Sequence, residues 1–353
     1  MKVCIIGHTE KNYLPFIQKY IDFFEQNNIE YDCIYWQREE KIENTPKNEY
    51  NYYGKMGQGF LNKIKSYFGF KKFVTSVIQK NKYDKLVVLT TVPAVMLSKY
   101  LFKHYKNKYI FDFRDYSFEK FPPYKKLVDK IIDNSEFTTI SSKGFMDFLE
   151  DNQKIYINHN MAFSDNISEV CDIKNKPVLN VGFIGNVRYY EENIALIEKL
   201  KNSFNYQLWY IGKANADCNL EGYCKENDIN NVSFVGKYSN DQKPELYKNI
   251  DVINSIYGDT SLEVTTALPN RLYEACLFKK PIISSKKTYL GEVIALYNLG
   301  IVVDVEKDDV LPMINDYVKN FDVSNFKKGC QDFINDVKND EKIIYSKLDE
   351  FIK

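Results

Sequence analysis

Short apolar runs that end in turn residues alternate along this chain with longer amphipathic stretches, the pattern of parallel strands buried on both faces and joined by helices. Residues 3–6 read as the first strand and residues 14–27 as the helix that follows. Strands are then predicted at 31–36, 85–89 and 109–113, with short ones at 137–140 and 154–157 closing a first series. After Asn160 the pattern lapses, and the polar residues 164–176 show no period before Pro177. A second series opens with a strand at 178–184 that runs into Gly185, a helix at 192–202, and strands at 206–211, 232–235, 251–254, 281–284 and 300–305. The chain is therefore expected to be α/β, with two Rossmann-like domains facing each other across a cleft and ligands at the carboxyl ends of the strands. The expected boundaries are 1–163 for the first domain, 164–177 for a linker and 178–330 for the second domain. A final helix at 331–353 is expected to return toward the first domain.

Composition narrows the class. At 353 residues the chain can bury more than one core, and 44% hydrophobic with 27% charged residues describes a folded chain. Lys and Arg number 48 and Asp and Glu 48, which disfavours a basic nucleic-acid-coating protein, so no nucleic-acid partner is expected. The zero is a cancellation, because residues 1–165 hold 25 Lys+Arg against 20 Asp+Glu and the remainder 23 against 28. Within the first part, residues 55–82 carry seven lysines and no acid, interleaved with apolar residues in FLNKIKSYFGFKKF. Such a segment either sits on an anionic membrane as a cationic, aromatic surface element or is a solvated basic face whose Phe side chains point into the core. Only four of the 48 basic residues are arginine, namely Arg38, Arg114, Arg188 and Arg271. In so lysine-rich a chain, a retained planar fork marks a place where bidentate geometry can matter.

The seven cysteines form no C-x-x-C pair and no zinc spacing, and several lie in apolar strings, which predicts reduced thiols and a cytoplasmic compartment. The start MKVCIIGH reads as a buried strand and not as a signal peptide, and the longest apolar stretch, 87–97, is too short to span a bilayer.

The string that carries most chemistry is Thr265-Thr266-Ala267-Leu268-Pro269-Asn270-Arg271-Leu272-Tyr273-Glu274-Ala275-Cys276, continuing through Lys279-Lys280-Pro281 into a strand. Pro269 and Asn270 make a helix start whose free amides form an anion site, and Arg271 stands beside it to pair with phosphate. Glu274 lies one turn farther on the same side, where a carboxylate can accept two ribose hydroxyls. A phosphate site and a ribose acceptor one turn apart fit a nucleotide diphosphate.

This string resembles the helix motif of the GT-B glycosyltransferases, in particular the family 4 group that builds bacterial capsule, O-antigen and related polysaccharides. Other segments agree in order: Gly7-His8-Thr9, Asp112-Phe113-Arg114-Asp115, Thr138-Thr139-Ile140-Ser141, Ile157-Asn158-His159-Asn160, Gly182-Phe183-Ile184-Gly185-Asn186-Val187-Arg188, Tyr210-Ile211-Gly212 and Phe234-Val235-Gly236-Lys237-Tyr238. The resemblance spans almost the whole chain. It implies a glycosyltransferase that moves a sugar from a nucleotide diphosphate donor to a lipid-linked oligosaccharide acceptor. No cofactor and no metal are implied, because positive side chains and a helix dipole serve instead.

Roles follow for matching positions. Glu274 would hold the donor ribose, and Asn270 and Arg271 the diphosphate with Arg188 in support. Tyr238 would lie at the base, and Gly185 and Lys213 complete the expected donor side. Gly7, Arg114 and Arg38 are expected on the acceptor side, with Asp115 or His8 orienting or deprotonating the acceptor hydroxyl. Two departures stand out. Retaining members often carry a further glutamate eight positions before Glu274, where this chain has Thr266, and the lysine that commonly follows the glycine loop is absent. Two other readings share the nucleotide site, a GT-B nucleotide-sugar epimerase and a catalytically silent GT-B partner or sensor module. A nicotinamide dehydrogenase is disfavoured, since no G-x-G-x-x-G follows a strand. Arg271 and Glu274 as an ordinary surface i, i+3 pair, and Arg188 paired with Glu191 or Glu192, are the plain structural alternatives.

Overall fold

The computed structural model describes residues 1–38, 45–57, 59–161, 169–170 and 172–353. Residues 164–168 and 171 of the expected linker, Cys171 among them, lie outside the described residues. The chain divides into two compact units, one of residues 1–159 and 339–353 and one of residues 160–338.

In the first unit the order is β1 (Lys2–Ile6), α1 (Ile17–Gln26), β2 (Glu30–Gln37), β3 (Glu49–Tyr53), α2 (Phe60–Asn81), β4 (Lys85–Leu89), α3 (Thr91–His104), β5 (Tyr109–Phe113), α4 (Pro122–Asn134), β6 (Phe137–Ile140) and β7 (Ile155–Ile157). The strands form one parallel sheet in the order β3-β2-β1-β4-β5-β6-β7. Val3, Ile5, Val87, Leu89 and Ile110 are fully buried, as a sheet covered on both faces requires. The second unit runs β8 (Leu179–Ile184), α5 (Tyr190–Leu200), β9 (Tyr206–Ile211), α6 (Leu220–Glu226), β10 (Val232–Val235), α7 (Lys243–Lys248), β11 (Val252–Ser255), α8 (Leu262–Thr266), α9 (Asn270–Phe278), β12 (Ile282–Ser285), α10 (Tyr289–Leu296), β13 (Gly300–Val303) and α11 (Val310–Lys319). Its sheet is also parallel, in the order β10-β9-β8-β11-β12-β13. The last helix, α12 (Val323–Phe351), contributes residues to both units, and its Ile344, Leu348 and Phe351 are buried in the core of the first.

Each sheet reverses its strand order beside its first strand, between β1 and β4 in one unit and between β8 and β11 in the other. At such a reversal the flanking connections leave on opposite faces and open a crevice at the carboxyl ends. Both first strands end there in glycine, at Gly7 and Gly185. The fold is thus the expected pair of Rossmann-like domains. The strand β3 escapes the sequence pattern because EYNYY has no apolar run and its side chains are half-buried at a sheet edge. The helix expected at 192–202 begins two residues earlier, since Tyr189 turns the chain in a left-handed conformation (φ 68°) ahead of α5. The strand expected at 300–305 stops at Val303.

Candidate functional site

In the second unit the site grows from the start of α9. Pro269 is extended and Leu272 N–H bonds back to its carbonyl at 3.0 Å. The amides of Asn270 and Arg271 precede the first carbonyl that the helix could offer them. Asn270 is exposed, whereas Arg271 turns inward and is only 6% exposed. Its guanidinium carbon lies 3.5 Å from the Phe183 ring centroid and 4.9 Å from that of Tyr257, and Nη1 donates to the Asn254 carbonyl at 2.9 Å. The Nη2 and Nε edge faces Gly185, where an added Cβ would sit 3.5 Å and 3.9 Å away. Gly185 has φ +138° and Gly212, next to it, φ +135°; a Cβ on Gly212 would collide with the Gly185 carbonyl at 1.9 Å. These two strand ends therefore need glycine. Among the described residues no carboxylate pairs with Arg271.

One turn on, Glu274 is 9% exposed and fully engaged: Lys243 Nζ donates to Oε1 at 2.6 Å and the Tyr247 hydroxyl to Oε2 at 2.6 Å. Burial, and then the Glu274 charge, push the Tyr247 hydroxyl far above its ordinary pKa, so it stays a donor. Arg271 and Glu274 are accordingly not a surface pair. Lys243 and Tyr247 are the residues that sequence reasoning missed. Their i, i+4 spacing puts both on one face of α7, but nothing in the spacing names the carboxylate they meet.

The remaining donor-side candidates lie around this pair. The Tyr238 hydroxyl is half-buried and its pKa is raised by burial, with the charges of Lys243, Glu274 and Arg271 all acting on it. Arg188 is half-exposed, lies over the Tyr189 ring at 5.0 Å, and approaches Glu263 at 4.0 Å rather than Glu191 or Glu192. Tyr189 in turn meets Tyr257 at 4.8 Å, so one aromatic wall runs from Arg188 to Arg271. Lys213 is exposed, and its carbonyl accepts the Val187 amide at 2.9 Å. Thr266 is buried, with its hydroxyl donating to the Leu262 carbonyl at 2.6 Å.

In the first unit, Gly7, His8 and Arg38 come together: Arg38 Nη2 donates to the His8 carbonyl at 2.6 Å, and its guanidinium stacks on Trp36 at 4.7 Å. His8 Nδ1 meets the Thr90 hydroxyl at 3.1 Å, and burial followed by the Arg38 charge lowers its pKa to about 4. Arg114 is 4% exposed and is committed elsewhere: Nε and Nη2 clamp the two oxygens of buried Asp112 at 2.5 and 2.9 Å, and Nη1 donates to the Asn158 carbonyl at 2.9 Å. Tyr20 adds a hydroxyl to Asp112 at 2.8 Å. Asp115, just beyond, is exposed. His159 pairs with Asp340 at 3.0 Å.

The sequence matches the glycosyl transferases group 1 family over residues 165–342, half of the chain. The chain belongs to that family. No curated protein matches it. Among solved structures the glycosyltransferase is similar to sucrose-phosphate synthase from Thermosynechococcus elongatus, with TM-score 0.72 at 11% identity over 100% of this chain and 98% of that one. It is similar to the lipopolysaccharide outer core galactosyltransferase WaaB in its apo form, with TM-score 0.65 at 18% identity over 98% and 100%. It is also similar to Anabaena HepE in complex with UDP and glucose, with TM-score 0.66 at 14% identity over 99% and 100%. These likenesses establish the GT-B fold of the glycosyltransferase. Among its described residues no helix is long and apolar enough to cross a membrane.

Proposed function

We propose that this glycosyltransferase moves a sugar from a nucleotide diphosphate donor to a lipid-linked oligosaccharide, with retention of configuration and without a metal, in the manner of the family 4 enzymes of bacterial surface polysaccharide synthesis. It works in the cytoplasm, at the inner face of the plasma membrane. The observation that carries the reading is Arg271, a buried cation held by two aromatic faces and one carbonyl beside a helix start and a glycine turn. Burying a cation without a carboxylate is costly, and a diphosphate delivered to that turn offsets the cost. Glu274, one turn farther along, supplies the acceptor oxygens for a ribose.

Chemically, the bond between the anomeric carbon and the diphosphate oxygen breaks and its electron pair stays on the diphosphate. Arg271, the α9 amides and Arg188 stabilise that charge as it grows. The acceptor oxygen bonds to the anomeric carbon on the same face, and its proton passes to the departing phosphate. His8 and Asp115 orient the acceptor, and Arg114 and Arg38 act by holding the end of β5 at Asp112 and the loop at His8. The bound UDP and glucose in HepE are compatible with such a donor.

The test is calorimetric titration of UDP into the wild type, Glu274→Ala and Arg271→Ala. Each variant is expected to bind about tenfold or more weakly, the loss of one charge-assisted hydrogen bond or more. Unchanged affinity in both would overturn the site. Formation of an epimer from the donor alone, with no acceptor present, would replace transfer with epimerisation.

A further inference from the structure

The sequence leaves open whether the lysine segment of residues 55–82 is a membrane element or a solvated face, and α2 answers differently on its two sides. Phe70 and Val74 are fully buried against the sheet, with Phe70 stacked on Trp36 at 5.0 Å. Leu61 and Phe68, seven residues apart, are 71% and 66% exposed, and Lys65 and Lys72 lie on the same side at i+4 from each. This outer side borders a groove of about 390 Å³ whose lining is apolar but for Lys71 and the tyrosine hydroxyls: Ile64, Phe68, Val92, Val95, Met96 and Phe118 form most of its wall. Phe118, at 67%, and Phe121, at 62%, stand exposed on the loop before α4. An isolated exposed Phe needs no explanation, but two that line one apolar hollow, Phe68 and Phe118, do.

We propose that the groove between α2 and α3 receives the hydrocarbon chain of the lipid that bears the acceptor, with Lys71 and the outer lysines of α2 meeting the anionic group at its head. Size and polarity suit one hydrocarbon chain: the groove measures about 390 Å³, within the range of small-molecule sites, and its wall is mostly carbon. Charge argues for an anionic head, because residues 55–82 contain seven lysines and no acid. The inference rests on the proposed lipid-linked acceptor and names the part of this chain that recognises its tail.

The probe is farnesyl phosphate, a single isoprenoid chain with one anionic head, titrated calorimetrically into the full chain below its micellar concentration. Saturable binding is expected in the wild type. Val95→Trp, which fills the groove, and Phe68→Ser, which removes an exposed wall residue without touching the core, should each weaken it about tenfold, the worth of a few buried methylenes. Lys71→Glu should weaken farnesyl phosphate but leave farnesol unchanged. UDP is titrated into the same samples: a chain that binds farnesyl phosphate in the groove but never UDP refutes the donor site and keeps the groove. A chain that binds UDP but not farnesyl phosphate refutes the groove alone. The proposal also falls if both groove variants bind farnesyl phosphate as the wild type does or if inorganic phosphate competes fully. It falls as well if the wild type sediments as a dimer that Phe68→Ser dissociates, since the groove would then serve a second copy of the chain.

Discussion

Arg114, just beyond the end of β5, and Arg271, in the first turn of α9 with its head against Gly185 and the Asn254 carbonyl, are both almost completely buried. Their surroundings differ in one respect. Arg114 is neutralised within its own unit by two bonds to Asp112, and Tyr20 and Asn158 complete the network. Arg271 has aromatic faces and a carbonyl, and its Nη2 and Nε edge looks onto a glycine turn. A charge satisfied by its own chain is architecture, while a charge kept buried without a counterion is a site in want of an anion.

The largest expected effects come from exchanging these environments. Arg114→Ala strands the fully buried Asp112 carboxylate, and breaking such a pair costs about 3–5 kcal/mol. Arg271→Met keeps the volume on Phe183 and removes a cation that no carboxylate needs, so stability should move by less than about 1 kcal/mol while UDP binding falls. Urea unfolding of the two variants separates the cases. Equal destabilisation by both would erase the distinction between a structural and a ligand-directed arginine.

The contrast was only partly legible in the sequence. The strands were readable because parallel strands buried on both faces leave continuous apolar runs, and the string from Pro269 to Glu274 was readable because a helix start, a fork and a carboxylate one turn on have fixed geometry. The state of each arginine was not. Arg114 meets its carboxylate two residues away, at Asp112, but what Arg271 meets depends on other strands and loops, and it is Phe183, Asn254 and Tyr257 that reach it. Lys243 and Tyr247 were invisible for the same reason. The edge strand β3 was lost because half-buried tyrosines leave no apolar period.

A second, smaller effect sharpens the first unit's side of the comparison through pH. His8 is held neutral, with its pKa lowered from 6.5 to about 4 by burial and by Arg38. Above the unfolded value neither state binds a proton there, so nothing changes. As pH falls from about 6.5 toward 4 the unfolded chain takes up a proton that the folded chain refuses, and stability is lost across that window. Because the ring is only partly buried, the loss between pH 7.5 and pH 5 should be about 1–2 kcal/mol. His8→Gln should remove that share of the slope, and Arg38→Gln should shrink it. A slope identical in all three proteins would mean that His8 titrates normally.

The smallest effect is a difference between two ligand responses, and it concerns Glu274, one turn beyond Arg271. Glu274 spends one oxygen on Lys243 and the other on Tyr247, and ribose hydroxyls are proposed to use the same oxygens. Tyr247→Phe removes one donor from a buried carboxylate and should cost about 1.5–3 kcal/mol without ligand, the range for a hydrogen bond to a charged group. The ring still stacks on Phe278 at 4.5 Å, so packing is preserved. If a ribose hydroxyl takes the vacated place, saturating UDP should stabilise Tyr247→Phe more than it stabilises the wild type, a difference read directly as a larger thermal shift. An equal shift in the two proteins would place the ribose away from Oε2 and leave Tyr247 as part of the fold, as Tyr20 is beside Asp112.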